Sequence, residues 1–171
     1  LAGEGARPDV GNRFPAVALT SLAGATLRIA PDSPLPKATV LIFFAPQCAE
    51  CFQEMAFFDA IYRRTKSLGF EVWAVEGTGL EASKVVDMLE GYRRVFGQPA
   101  YQIAADPEYR LSGQLGVRRL PTSFLVESHG VVLSRKEGFA DTDAVDLVRN
   151  LERLLQLGDG DLSFALRDNG I

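Results

Sequence analysis

Histidine and cysteine are scarce in this chain, which has one histidine, His129, and two cysteines among 171 residues. A single histidine excludes a multi-histidine metal site. Two cysteines are too few for a disulfide-stapled scaffold, and a chain of this length can bury a core without one. The composition therefore points to chemistry that needs two thiols and little else.

The chain also lacks long hydrophobic runs and any excess of basic charge. Its longest apolar run, residues 40–45, is far shorter than the roughly 20 residues of a membrane-spanning helix. The 18 Lys and Arg are mixed with 22 Asp and Glu, giving a net charge of −4, whereas nucleic-acid binders carry basic stripes. We expect no nucleic-acid partner and no transmembrane segment. Because the chain starts at Leu1 without Met or a signal region, we expect a mature form that has lost a signal or anchor.

Alternating strand-like and helix-like segments predict an α/β layered domain. Residues 39–44 (TVLIFF) form an all-apolar run that is typical of a central strand buried on both faces. The predicted elements are a β-hairpin over residues 14–30, strands over 39–44, 70–75, 101–104, 122–127 and 131–136, and helices over 49–66, 81–96, 107–115 and 141–157. We expect a flexible arm over residues 1–13, one domain over 14–157 and a tail over 158–171.

Cys48 and Cys51 have Cys-x-x-Cys spacing and open the helix that follows the buried strand. Residues three apart on a helix share a face, so the two thiols can form a disulfide. The unpaired N–H groups of the helix N-terminus stabilise a thiolate, which is the attacking species in disulfide exchange. We therefore predict that Cys48, at the end of the loop, is the nucleophile and that Cys51, inside the first turn, is the resolving thiol.

Other interpretations of the cysteine pair remain open at this point. Two helical cysteines could be inert core residues, because free cysteine is often buried. They could be half of a zinc site, although zinc needs about four ligands and no second cysteine pair exists. Copper bound with His129 is a further alternative. Peroxide reduction would need Thr three residues before Cys48, where the sequence has Ala45.

Two segments carry a resemblance to a known family. Residues 40–51 (VLIFFAPQCAEC) continue into Phe52-Gln53-Glu54-Met55 and resemble the C-x-x-C-x-x-E-M active-site segment of TlpA/ResA-type thioredoxins. Residues 116–126 (GVRRLPTSFLV) resemble that family's G-V-x-x-L-P-T-x-F-L segment. The resemblance covers residues 14–157 and implies a thioredoxin-like fold: a central mixed β-sheet flanked by helices, with an N-terminal β-hairpin.

The resemblance also implies where a substrate binds. Pro121 is implied to follow a cis peptide bond beside the cysteines, so that Leu120, Pro121 and Thr122 hold an extended substrate strand. Gln47 stands where the family usually has Trp, as in MauD-like members, and we count it among the substrate-binding residues.

A carboxylate near the disulfide is also implied by the resemblance. It would follow the strand over 70–75, where Glu76 and Glu81 are both possible acid or base residues. The alternative is that both are solvated acids near a helix start.

The expected activity is thiol-disulfide exchange that reduces disulfides of extracytoplasmic partner proteins. Glu50, between the cysteines, disfavours the thiolate and so favours a reductant over a strong oxidant. The resemblance implies no cofactor or metal, a membrane thiol protein as electron donor, a bacterial periplasm or cell-envelope location, and a role in cytochrome c maturation. The alternative function is a copper-binding or non-catalytic thioredoxin-fold interaction module.

Overall fold

The computed structural model describes residues 7–30 and 32–171. Seven strands and five helices lie in this part of the chain. The strands are β1 (Val17–Thr20), β2 (Thr26–Ile29), β3 (Ala38–Phe44), β4 (Phe70–Glu76), β5 (Gln102–Ala105), β6 (Thr122–Glu127) and β7 (Val132–Glu137). The helices are α1 (Ala49–Thr65), α2 (Ala82–Phe96), α3 (Arg110–Leu115), α4 (Asp141–Leu154) and α5 (Ser163–Asp168).

A mixed five-stranded sheet in the order β5-β4-β3-β6-β7 forms the centre of the fold. Strand β3 lies in the middle, parallel to β4 and antiparallel to β6. All seven of its residues are buried, as its unbroken apolar sequence predicts. The α/β architecture and the separate N-terminal hairpin of β1 and β2 are both confirmed.

The two faces of the sheet bury different partners. Val40, Ile42 and Phe44 of β3 pack with side chains of α1, α2, α4 and α5. Leu41 and Phe43 point to the other face, where the hairpin and α3 cover the sheet. The period-2 alternation of a strand thus divides the core into two apolar clusters, and it fixes α1 on one face at the end of β3.

Two predicted helices are shorter than the sequence indicated. The one expected over residues 107–115 is split into a 3₁₀ turn, Pro107–Tyr109, and α3, because Glu108 and Tyr109 have φ of 58° and 57°. The helix expected over 141–157 stops at Leu154, and Gln156 has a φ of 59°. Left-handed backbone ends a helix, and hydrophobic periodicity does not report it.

Both chain ends make contacts with the domain within the described residues. Gly11 N donates to Val132 O at 2.8 Å, and Arg13 forms an isolated antiparallel bridge with Val131. In the tail, Leu162 is 2% exposed and Ala165 is fully buried in the cluster around α1. Residues 1–6 of the predicted arm lie outside the described residues, and the division at residues 13 and 157 stays a prediction. Among the described helices, none is long and apolar enough to cross a membrane.

Candidate active site

Cys48 occupies the N-cap of α1. Pro46 follows the end of β3 closely, and the chain turns there into the helix. The backbone of Cys48 is extended, with φ −104° and ψ 103°, and its Sγ accepts a hydrogen bond from Cys51 N at 3.1 Å. A sulfur at this position receives an N–H that the helix itself cannot use. The site therefore favours negative charge on Cys48.

The two cysteines form a disulfide but differ in exposure. Their Cα atoms are 5.2 Å apart. Cys51 is fully buried in the cluster between α1 and the sheet, whereas Cys48 is partly exposed. Only Cys48 therefore offers its sulfur to a partner from solvent.

The loop before β6 lies beside the cysteine pair. Thr122 pairs with Phe43 in the sheet register, which places Pro121 level with the end of β3, where the chain leads to Cys48. The Leu120–Pro121 peptide bond is cis, so this expectation is confirmed. Gly138 N donates to Pro121 O at 2.8 Å, and Thr122 Oγ1 donates to Arg119 O at 2.6 Å.

The backbone of Leu120 is free to pair with another chain. Within residues 7–30 and 32–171, neither its N–H nor its C=O has a hydrogen-bond partner. Pro121 and Thr122 are buried and shape the loop, whereas Gln47, directly before Cys48, is exposed. The structure thus brings the four predicted substrate-binding residues to one edge of the disulfide.

The two predicted acid or base candidates lie in different environments. Glu76 is fully buried and pairs with Phe44 in the sheet. Its Oε1 accepts from Thr78 N at 3.2 Å and Thr78 Oγ1 at 2.5 Å, while Oε2 has no partner among the described residues. Burial raises the pKa of Glu76, and this effect outweighs the hydrogen bonds from Thr78, which lower it. Glu81, by contrast, is exposed at the N-cap of α2.

A third carboxyl group, Glu54, lies next to the disulfide. It follows Cys51 by three residues on α1, so the two side chains share a helix face. Glu54 is fully buried, and neither of its oxygens has a hydrogen-bond partner of normal geometry among the described residues. Burial raises the pKa of Glu54 to about 8, with Asp143 and Glu50 adding to the rise and the nearby Ser123 hydroxyl opposing it.

Sequence reasoning gave no role to Glu54, although the signal was present. The spacing Cys51-x-x-Glu54 sets a carboxyl group one helical turn from the resolving thiol. The family resemblance instead implies a carboxylate after β4, and Glu54 belongs to the motif that carries the resemblance. Residues far along the chain surround it, including Ser123 of β6 and Asp143 of α4, and local spacing does not report such contacts.

His129 lies far from the cysteines. It is exposed in the turn after β6, and Glu127 at the end of β6 pairs with Ala38, at the opposite end of β3 from Cys48. The structure therefore does not form the copper site that would combine His129 with the cysteine pair. No group of three or more His, Cys, Asp or Glu arranged to hold a metal occurs in the described part of the chain.

Comparison with known proteins places this geometry in a family. The family model described as AhpC/TSA matches residues 10–135, which include the hairpin, the cysteine pair and the loop at Pro121. The chain belongs to the AhpC/TSA family. Among its curated relatives, thiol-disulfide oxidoreductase ResA of Bacillus thuringiensis (strain Al Hakam) is 26% identical over 127 residues, covering 74% of this chain and 69% of ResA. Thiol:disulfide interchange protein HelX of Rhodobacter capsulatus is 25% identical over 135 residues, covering 79% of this chain and 72% of HelX.

Solved structures show the same fold. A structure described as thiol:disulfide interchange protein DsbE from Chlorobium tepidum has a TM-score of 0.71 and 25% identity, covering 86% of this chain and 98% of that chain. StoA from Bacillus subtilis has a TM-score of 0.60 and 20% identity, covering 79% of this chain and 95% of the StoA chain. This chain thus has a thioredoxin-like fold and is a thiol-disulfide oxidoreductase in which Cys48 and Cys51 form a disulfide.

Proposed function

We propose that this oxidoreductase reduces disulfides of partner proteins, with Cys48 as the attacking thiol and Cys51 as the resolving thiol. The difference in exposure between the two sulfurs supports this assignment most directly, because Cys51 is fully buried while Cys48 is open at the helix N-cap. Attack on an external disulfide needs a sulfur that the partner can reach.

The reaction transfers two electrons to the partner. In the reduced enzyme, the Cys48 thiolate attacks one sulfur of the partner disulfide, and the second partner sulfur leaves as a thiolate that takes up a proton. Cys51 then loses its proton and attacks Cys48 Sγ. The bond between Cys48 and the partner breaks, the partner leaves with two thiols, and the enzyme holds the Cys48–Cys51 disulfide.

We propose that Glu54, in its ionised form, receives the proton of Cys51 in the second step and becomes the neutral acid. A pKa of about 8 lies close to the ordinary value of a thiol, about 8.5, and such a match favours proton transfer. In the reverse direction, when a donor reduces the disulfide, neutral Glu54 returns a proton to Cys51 as its sulfur leaves. Glu76, buried at the end of β4, is a second candidate for proton transfer, whereas Glu81 is exposed.

An extended segment of the partner would bind along the loop before β6. The free N–H and C=O of Leu120 can add it as a strand, held in place by the loop of Pro121 and Thr122. Gln47 would contact the same segment beside Cys48. Backbone pairing of this kind gives affinity with little dependence on sequence, so it suits a reductant of several partners.

The setting of the reaction is proposed from the family resemblance. We place the protein outside the cytoplasm, in a bacterial periplasm or cell envelope, with a membrane thiol protein as its electron donor and a role in cytochrome c maturation. The proposed chemistry involves two thiols and a carboxyl group of this chain, and it calls for no cofactor.

Trapping the mixed disulfide tests the assignment of the two cysteines. Reduced wild-type protein should release thiols from native insulin by reducing its disulfides. The Cys51→Ala variant should instead accumulate a covalent complex through Cys48, visible by non-reducing electrophoresis and peptide mass mapping. The Cys48→Ala variant should form no complex. A complex that maps to Cys51, or wild-type protein that releases no thiols, would contradict the proposal.

A further inference from the structure

A groove of about 720 Å³ lies between α1 and α2, next to the cysteine pair. It begins at Ala49, the residue after Cys48, and follows one face of α1 past Phe52, Ala56 and Ala60. With a rise of about 1.5 Å per residue, this face extends roughly 15 Å from the disulfide. A polypeptide bonded to Cys48 therefore covers the start of the groove.

Three aromatic rings line the groove, Phe52 from α1 and Tyr92 and Phe96 from α2. Phe52 lies 4.8 Å from Tyr92 and 5.4 Å from Phe96, and Tyr92 lies 5.0 Å from Phe96, measured between ring centroids. Phe96 is 61% exposed. An exposed aromatic cluster of this kind marks a surface that binds apolar groups.

Hydrogen bonds hold the groove in shape, and the two charged side chains that line it form an ion pair. Asp59 and Arg63 form an ion pair at 2.8 Å. Asp59 Oδ1 also accepts from Ala100 N at 2.7 Å, and Arg63 Nη2 donates to Gln98 O at 2.9 Å. These bonds fix the loop after α2 to α1, so little ordering is needed on binding. Because the two charges neutralise each other, the groove favours an uncharged guest.

We propose that this groove binds an apolar side chain of the partner polypeptide, three to five residues from the cysteine that reacts with Cys48. The groove begins at the residue after Cys48, the partly exposed cysteine of the pair. About four extended residues span the distance from Cys48 to the middle of the groove at Ala56. The proposal rests on the proposed role of Cys48 as the attacking thiol. It adds a preference for apolar partners to the sequence-independent pairing at Leu120.

Matched peptides test the groove. Each substrate is a peptide whose single cysteine is part of a disulfide bond. One peptide carries Phe four residues from its cysteine, and the second carries Ser at that position. Bis(2-hydroxyethyl) disulfide, which is too small to reach the groove from Cys48, serves as reference substrate. For wild-type protein, kcat/KM should be roughly fivefold to tenfold higher with the Phe peptide than with the Ser peptide, mainly through KM.

Two groove variants should remove this preference. Phe96→Ser deletes an exposed ring, and Ala56→Arg fills the groove at an exposed helix position. Each should lower kcat/KM for the Phe peptide, relative to the reference disulfide, to the level of the Ser peptide. Val95→Ser is the matched control, because Val95 is 73% exposed on the same helix turn but does not line the groove.

The outcomes separate the groove from the proposed function. If wild-type protein reduces the reference disulfide but shows no preference for the Phe peptide, the groove proposal fails alone. It also fails if Val95→Ser has the same effect as Phe96→Ser, or if Phe96→Ser changes the oligomeric state in sedimentation, since the groove would then contact a second copy. If wild-type protein reduces no disulfide at all, the proposed function fails.

Discussion

At the scale of single residues, Glu54 is an acidic side chain in an environment far from its ordinary one. Its carboxyl group is fully buried and has no hydrogen-bond partner of normal geometry among the described residues. A buried carboxylate without a partner is strongly disfavoured, so the neutral acid is the stable form. The pKa of about 8 follows from this burial. The protein retains a destabilising group one helical turn from Cys51, which supports proton exchange between Glu54 and the sulfur of Cys51.

Glu54 should make stability depend on pH. Between the ordinary pKa of 4.5 and the folded pKa of about 8, the folded protein binds a proton that the unfolded chain has lost. The free energy of unfolding should therefore fall as pH rises through this window, by up to about 1.4 kcal/mol per pH unit. The Glu54→Gln variant should lack this slope in urea unfolding of the oxidised protein at pH 5, 6.5 and 8.

A surface control isolates the effect of burial. Glu90 is exposed on α2, and Glu90→Gln should retain the slope of the wild-type protein. Parallel stability curves for the wild-type protein and Glu54→Gln would show that Glu54 is not held neutral in the folded state.

At the scale of elements, Asp106 determines where α3 begins. Its Oδ1 accepts from Leu111 N at 2.7 Å, and its Oδ2 accepts from Ser112 N at 2.9 Å and from Ser112 Oγ at 2.5 Å. Asp106 is 2% exposed, so these groups are out of water. The short helix is anchored to the end of β5 by one side chain, after the left-handed residues Glu108 and Tyr109 redirect the chain.

Removing that anchor should destabilise the protein. Asp106→Ala leaves two buried N–H groups and a hydroxyl without their acceptor, so we expect a loss of about 2–4 kcal/mol in the free energy of unfolding by urea. The control Glu108→Ala removes a side chain that is 76% exposed and pairs only with Arg110, and its effect should stay within about 0.5 kcal/mol. Equal losses for the two variants would refute the anchoring role of Asp106.

At the scale of the whole molecule, the position of the protein in an electron-transfer sequence depends on its reduction potential. The helix N-terminus stabilises a Cys48 thiolate, and Glu50 in the same turn opposes it. The side chain of Glu50 is exposed and reaches towards Gly138, where the Arg119 guanidinium also approaches. Solvent and the positive charge of Arg119 both screen the charge of Glu50.

The reduction potential of the Cys48–Cys51 pair should be that of a reductant. We expect a value below about −200 mV, nearer to thioredoxin at about −270 mV than to the oxidant DsbA at about −120 mV. Equilibration with glutathione and dithiothreitol, read by thiol alkylation, measures it. Glu50→Gln should raise the potential, because the thiolate form becomes more stable. A wild-type value near −120 mV would mean that the protein forms disulfides instead.

The sequence by itself determined the architecture and the reacting atoms. An unbroken apolar run such as β3 can only be buried on both faces, and two thiols three residues apart after such a strand meet at a helix start. These are local properties, so the sheet, the hairpin and the cysteine pair were predictable from the residues, whereas the loop at Pro121 was implied by the family resemblance. The lengths of α3 and α4 were not predictable, because residues with left-handed backbone limit them. Glu108 and Tyr109 lie before α3, and Gln156 lies after α4.

Only the tertiary structure decided which polar groups are buried and which apolar groups are exposed. Glu54 and Glu81 have the same side chain, yet Glu54 is fully buried near Ser123 and Asp143 while Glu81 lies in solvent. The aromatic groove likewise depends on contacts between distant residues, since Asp59 and Arg63 of α1 bond the loop that follows α2. Burial is set by contacts between residues far apart in the chain, and spacing along one segment carries no record of them.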